Sequence, residues 1–222
     1  MNDDLEEETE SFKIVLIGES GVGKTSIISQ FMDHVFQPEL TMSTSASYSS
    51  NCLLLNDGSE LKLDIWDTAG QEKYRAMTKM FYKDSNAAIL VYDITRQDSF
   101  DVLSKYWIDQ LKENSSSNII LAIAANKSDL IEEEKVNEET ARKFAQENNA
   151  IFCQTSAKTS FGINDLFFEI AKKYTGKDIM KIKNEENNGK ITNKNENGNN
   201  KNETMKITKE KTKNKNKKKR CC

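Results

Sequence analysis

Eight consecutive residues, Gly18-Glu19-Ser20-Gly21-Val22-Gly23-Lys24-Thr25, fit the pattern G-x-x-x-x-G-K-S/T. Glycines in so tight a loop let backbone N–H groups point inward and cradle phosphate oxygens. Lys24 adds a point charge, a helix starting here adds the positive end of its dipole, and the Thr25 hydroxyl can bind Mg²⁺. A Gly-rich turn with a surface lysine would not need all the fixed positions of the pattern between a strand and a helix. The stretch is therefore read as a phosphate-binding loop.

Such a loop works only if a scaffold holds it. Short apolar runs alternate with amphipathic stretches, which implies an α/β domain with a largely parallel sheet. Strand candidates are Phe12–Gly18, Cys52–Asn56, Leu61–Trp66, Ala87–Asp93, Ile119–Ala125 and Ile151–Thr155. Asn56-Asp57-Gly58 between the second and third is a hairpin signal, so that pair should be antiparallel. Leu61, Leu63 and Ile65 alternate with Lys62 and Asp64, the pattern of a half-exposed strand. Helices should follow Lys24, Glu72, Asp98, Asn137 and Gly162. In the last, Ile163, Leu166, Phe167, Ile170, Ala171 and Tyr174 share one face that should pack on the sheet. Beyond about Thr175 the apolar pattern stops.

Phosphate binding does not select a base. Three further stretches do: Asp67-Thr68-Ala69-Gly70-Gln71-Glu72, Asn126-Lys127-Ser128-Asp129 and Ser156-Ala157-Lys158. With the phosphate loop, their order and spacing resemble the Ras-like small GTPases over roughly residues 12–175. The resemblance implies a P-loop NTPase fold with a six-stranded, mostly parallel sheet flanked by helices. It implies GTP and GDP as ligands, Mg²⁺ as cofactor, and slow hydrolysis of GTP to GDP and phosphate. Asp129 should accept two hydrogen bonds from guanine N1 and N2, a donor pair that adenine lacks. Asn126 should tie this loop to the phosphate loop, the Lys127 stem should cover one base face, and the Ala157 N–H should meet guanine O6. Phe36 matches the aromatic on the base edge. Ser20, Gly21, Val22, Gly23, Lys24, Thr25 and Ser26 line the phosphates, with Ser156 and Lys158 beside the base. Asp67 should hold Mg²⁺ through a water, the Gly70 N–H should contact the γ-phosphate, and Gln71 should position the attacking water. Lys24 and Gln71 are the catalytic pair. Arg75 and Arg96 are candidates for an arginine that reaches the γ-phosphate from within the chain, but are read in preference as surface residues. An arginine supplied by an activating partner would then accelerate the reaction, by about 10³–10⁵-fold for this enzyme class.

Four segments narrow the resemblance to the Rab proteins of vesicle traffic. They are Lys62-Leu63-Asp64-Ile65-Trp66, Lys73-Tyr74-Arg75-Ala76-Met77-Thr78, Phe81-Tyr82-Lys83-Asp84-Ser85 and Leu90-Val91-Tyr92-Asp93-Ile94-Thr95. By the same matching, Tyr48, Trp66 and Phe81 stand where Rab proteins carry an aromatic triad read by effectors. Tyr48 and Phe81 are unusual choices where Phe and Tyr are common.

The hydroxyl-rich run Leu40-Thr41-Met42-Ser43-Thr44-Ser45-Ala46-Ser47-Tyr48 falls where the family has the Thr-x-Gly of its first switch, whose hydroxyl binds Mg²⁺. Counting forward from Lys24 at family spacing lands on Ser43, and counting back from Trp66 lands on Thr44. The extra residue is placed in the Asn56–Ser59 hairpin, because turns absorb insertions more readily than metal sites. Ser43 is then the ligand, and Ala46-Ser47-Tyr48 aligns with the A-S-F of some endosomal Rabs. Ser45 replaces the family glycine, so any positive φ needed there would carry strain. This departure motivates a rival reading, a GTP-binding module or scaffold with little hydrolysis. An ATPase or kinase on the same loop is opposed by Asp129.

The chain has 222 residues and a net charge of −3 that hides a split. Residues 181–222 hold 14 Lys or Arg against 5 Asp or Glu, leaving 18 against 30 for residues 1–180. Three segments are expected: an acidic extension over 1–11, the GTPase domain over 12–175, and a basic tail over 176–222. The tail is too poor in apolar residues to offset its chain entropy and is read as disordered. It ends in Lys217-Lys218-Lys219-Arg220-Cys221-Cys222, which resembles the Rab signal for double geranylgeranylation at Cys221 and Cys222. Two prenyl chains give stable anchoring where one is marginal, and basic neighbours add attraction to anionic lipid. The start, Met1 to Ser11, lacks the basic-then-apolar pattern of a signal peptide, and no Gly follows Met1, which excludes N-myristoylation. Cys52 and Cys153 lie far apart, without disulfide or metal spacing, as expected of a cytosolic chain. Nucleic-acid binding is not expected, since the tail lacks interleaved aromatics. The expected state is a monomer at the cytosol and the cytoplasmic face of endomembranes, endosomes in particular. Its expected partners are an exchange factor, a GTPase-activating protein, a GDP-dissociation inhibitor, a prenylation escort and vesicle effectors.

Overall fold

The computed structural model describes residues 11–38, 46–68 and 80–183. Strand β1 (Ser11–Ile17) leads through the glycine loop into helix α1 (Lys24–Asp33). Strands β2 (Ser47–Leu55) and β3 (Glu60–Asp67) form a hairpin, and β4 (Ala87–Asp93) follows. Helices α2 (Gln97–Val102) and α3 (Ile108–Asn114) are joined by a π-helical turn, Leu103–Trp107. Then come β5 (Ile120–Asn126), a 3₁₀ segment (Ser128–Glu133), α4 (Glu138–Glu147), β6 (Ile151–Gln154), α5 (Ile163–Thr175) and β7 (Ile179–Ile182).

The sheet order is β6-β5-β4-β1-β3-β2-β7. Pairings from β6 through β3 are parallel, and β2 is antiparallel to both β3 and β7. Central β4 and β5 are buried at every position, as strands covered on both faces must be, whereas β3 alternates between buried and half-buried residues. Phe12, Ile14 and Leu16 of β1 face α1 and α5, where Phe31 and Phe167 stack at 3.9 Å. Val15 and Ile17 face the opposite way, towards Phe100, Leu103, Trp107 and Leu111. Alternation along one strand thus gives each helical layer its own half of the core.

After β1 the chain builds β2 and β3 on one side and then crosses to β4 on the other. The crevice at such a switch point, beyond the carboxyl ends of the strands, is where open α/β sheets bind ligands. The glycine loop sits there, directly after β1.

Seven strands replace the six expected, because residues 179–182 of the segment assigned above to the tail form β7 of the sheet. Gly176 closes α5 in the left-handed conformation, φ 70°, with its N–H on the Lys172 carbonyl at 2.8 Å. Lys177 then pairs with Asp57 at 2.6 Å, and Lys172 pairs with Asp178 at 2.7 Å. Ile182 opposes Leu53 and is buried in the core. Two isoleucines in four residues are too few to show a period. What favours the strand is backbone pairing along the otherwise open edge of β2.

Candidate functional site

The glycine loop is conformationally obliged to be glycine at two points. Gly18 and Gly23 take φ 154° and 99°. A Cβ on Gly18 would lie 2.3 Å from the Val91 carbonyl oxygen, and one on Gly23 would lie 2.3 Å from Asn126 Nδ2. Lys24 is buried, and its Nζ donates to the carbonyls of Gly18 at 2.8 Å and Glu19 at 3.0 Å. Burial pulls the Lys24 pKa down to about 8, with Asp67 and Glu19 opposing the shift.

Asp67 closes β3 and is 2% exposed. Its Oδ2 accepts from Thr25 Oγ1 at 2.5 Å, while its Oδ1 is buried with no hydrogen-bond partner among the described residues. Burial pushes this carboxyl above its ordinary range, against the pull of Thr25 and Lys24. A buried carboxylate oxygen without a donor is costly unless something positive meets it. A hard divalent cation is the natural occupant, since Thr25 and Asp67 offer it the oxygen atoms Mg²⁺ prefers.

The base-side residues meet behind the loop. Asn126 ends β5, and its Nδ2 donates to the Val22 carbonyl at 2.8 Å, joining residues 104 apart in sequence. Its Oδ1 accepts from Thr155 Oγ1 at 3.3 Å and from the Ala157 N–H at 3.4 Å. Asp129 Oδ1 accepts from Ser156 Oγ at 2.6 Å, and Lys158 Nζ lies 3.8 Å from Asp129 Oδ2. Lys127 takes a left-handed φ of 66°, and its Nζ pairs at 2.6 Å with the buried carboxylate of Asp93. Ser26 follows Thr25 in α1, and Phe36 lies exposed on the segment after that helix.

A second cluster lies on the β2–β3 side. Trp66 packs between Tyr48 at 5.2 Å and Phe81 at 5.6 Å, centroid to centroid. Tyr48 faces Trp66 across the hairpin and donates its hydroxyl to Asp64 Oδ1 at 2.7 Å. That bond gives Tyr48 an anchor a phenylalanine would lack.

Ser43, Thr44, Gly70, Gln71, Arg75, Cys221 and Cys222 lie outside the described residues. Among the described residues, no helix is long and apolar enough to cross a membrane. Asp93 was given no site role by the sequence, and the contact that Arg96 makes was not foreseen. Asp93 is the Lys127 partner, and its only signal was an acid ending a wholly apolar strand. Arg96, read as a surface residue, places its Nη1 2.9 Å from the Ser20 carbonyl oxygen of the phosphate loop. Nothing in the sequence signals a contact across 76 positions.

Comparison with known proteins places the chain as follows. The profile of the Ras family matches residues 13–176. The Ras-related protein Rab-5A of Dictyostelium discoideum is 44% identical over 162 residues, covering 73% of this chain and 80% of that relative.

Proposed function

Because the chain belongs to the Ras family of small GTPases, in its Rab branch, we propose that it is a membrane-anchored switch for vesicle traffic. It is a GTPase that binds GTP and GDP. The observation that carries the site assignment is the Asn126 bond to the Val22 carbonyl, which fastens the base loop to the phosphate loop. With that bond, phosphate cradle and base carboxylate form one site rather than two.

In this reading Lys24 and the loop N–H groups hold the phosphates, and the Asp129 carboxylate selects guanine, with Ala157 at O6. Phe36, Lys127 and Lys158 border the base. Thr25, Asp67 and Ser43 hold Mg²⁺, which supplies positive charge beside the phosphate oxygens. The unpartnered Oδ1 of Asp67 supports that assignment. Gly70 contacts the γ-phosphate and Gln71 orients the water. Phosphoryl transfer needs positioning and charge more than a strong base, so this set is sufficient.

Ser43 rather than Thr44 is supported by the hairpin. Tyr48 opposes Trp66, so the turn centres on a residue, Asp57, and contains an odd number. Its three residues, Asn56-Asp57-Gly58, end in a left-handed Gly58 at φ 84°, one residue longer than the commonest hairpin turn. The extra residue therefore has a place away from the metal ligands.

Residues 1–10 precede the domain, whose first strand already includes Ser11, and the basic tail carries two prenyl groups on Cys221 and Cys222. Tyr48, Trp66 and Phe81 face effectors at the cytoplasmic surface of endosomes. Exchange, activating, GDP-dissociation and prenylation-escort factors serve the cycle.

Single-turnover hydrolysis of GTP and ATP by the purified chain tests the reading. GTP loss, sped by a broad-acting activating protein and absent with ATP, is the expected result. No GTP loss even with that activator would leave a GTP-binding scaffold. Loss of Mg²⁺ dependence in Thr44→Ala but not Ser43→Ala would move the ligand to Thr44.

A further inference from the structure

We propose that Arg96 is a positioning residue that locks the orientation of the Ser20–Gly21 peptide in the phosphate loop. The proposal rests on the reading of residues 18–25 as that loop. Arg96 stands in the turn after β4, and its backbone is fixed on both sides. Its N–H donates to the Asp93 carbonyl at 2.9 Å, and its carbonyl accepts from the buried Ser99 hydroxyl at 2.7 Å. The guanidinium is held in turn by Asp98, with Nη2 at 2.6 Å from Oδ2. Nη1 is thereby presented to the Ser20 carbonyl at 2.9 Å.

The consequence lies in the next atoms of the chain. The peptide is trans and planar, so fixing the Ser20 C=O towards Arg96 turns the Gly21 N–H to the opposite side. That N–H is one of the groups a phosphate loop offers its anion. Gly21 has φ 77°, and a residue without Cβ populates both signs of φ about equally. The Arg96 bond opposes rotation of the Ser20–Gly21 peptide, which would exchange an inward N–H for an inward carbonyl that repels phosphate. The Asn126 bond restrains Val22 but not this peptide. The Arg96 turn is also bonded to the base loop, through Ile94 N to Asn126 O at 3.1 Å and through the Asp93–Lys127 pair. Arg96 therefore sets the phosphate end of the site from a turn that the base end holds.

Arg96→Ala, Arg96→Lys and Lys24→Ala are compared in the full chain loaded with GDP. Three quantities are read: the backbone ¹H–¹⁵N resonance of Gly21, the GDP dissociation rate, and single-turnover GTP hydrolysis. Arg96→Ala should move or broaden the Gly21 resonance and change each rate by about tenfold, the loss of one charge-assisted hydrogen bond. Arg96→Lys, which keeps one donor and the charge, should recover part of all three. A folded Arg96→Ala protein with the native Gly21 resonance and native rates would overturn the proposal. Lys24→Ala separates the two readings: retained GDP affinity there would remove the phosphate-loop assignment, whereas its loss beside an inert Arg96→Ala would remove only the role of Arg96.

Discussion

Tyr82 shows how much a single atom can cost. The side chain is fully buried, and its hydroxyl has no partner among the described residues. A buried donor left unpaired costs about 1–3 kcal/mol, while its apolar isostere does not. Tyr82→Phe should therefore raise stability by about 1 kcal/mol in urea unfolding, without changing nucleotide release. Cys153 gives the pH counterpart. Burial, reinforced by Glu169 and Asp165, pushes its thiol up to about 11. The raised pKa disfavours the thiolate, the reactive form, across the whole neutral range. Alkylation of Cys153 by iodoacetamide at pH 8 should be about a hundredfold slower than of an ordinary free thiol, and should rise with pH up to about 11. A Cys153→Ser protein supplies the baseline by mass spectrometry. The sign for folding follows from the same shift: the unfolded thiol ionises first, so this group stabilises the fold below about pH 9 and ceases to above about 11.

The elements divide into those written locally and those written by contact. The phosphate loop, the Asn126–Asp129 run and the Ser156–Lys158 run were legible because each is contiguous and its residue types follow from its ligand. The α5 face was legible from its period, and Ile163, Leu166, Phe167, Ile170 and Ala171 are all buried. Strand β7 was not, because nothing in Ile179–Ile182 distinguishes it from the polar sequence beyond until β2 offers an edge. The role of Asp93 and the Arg96–Ser20 contact were missed for the same reason, their partners being supplied by the fold. At this scale the β2–β3 turn is a clean test. A Cβ on Gly58 meets nothing within 4 Å, so Gly58→Ala carries only the strain of a left-handed φ, about 1 kcal/mol. Urea unfolding should show that loss with unchanged GDP dissociation. Removing residues 177–222 should cost more, since it strips the Lys177–Asp57 and Lys183–Glu60 pairs and uncovers the edge of β2. Light scattering should then show self-association that a protein ending at residue 183 lacks.

Across the molecule, charge is segregated. The 14 basic residues among positions 181–222 give that segment a net of +9, against −12 for the rest. Without any attached lipid, the full chain should bind vesicles rich in phosphatidylserine, and the protein ending at residue 183 should not. Binding should fade as salt rises, because attraction to a charged surface falls off within a Debye length. Strand β7 carries the described chain as far as Lys183 along the edge of β2. Pairing moves from Ile179 beside Leu55 to Ile182 beside Leu53, and the Lys183 N–H then reaches the Cys52 carbonyl. The chain is thus running back along β2 towards Tyr48, four residues further on, or about 13 Å at the rise of a strand. At Lys183 the strand is therefore aimed at the side of the sheet that carries the Tyr48–Trp66–Phe81 rings. A partner gripping those rings would lie in line with β7, so one surface could touch a sheet edge and an aromatic face together.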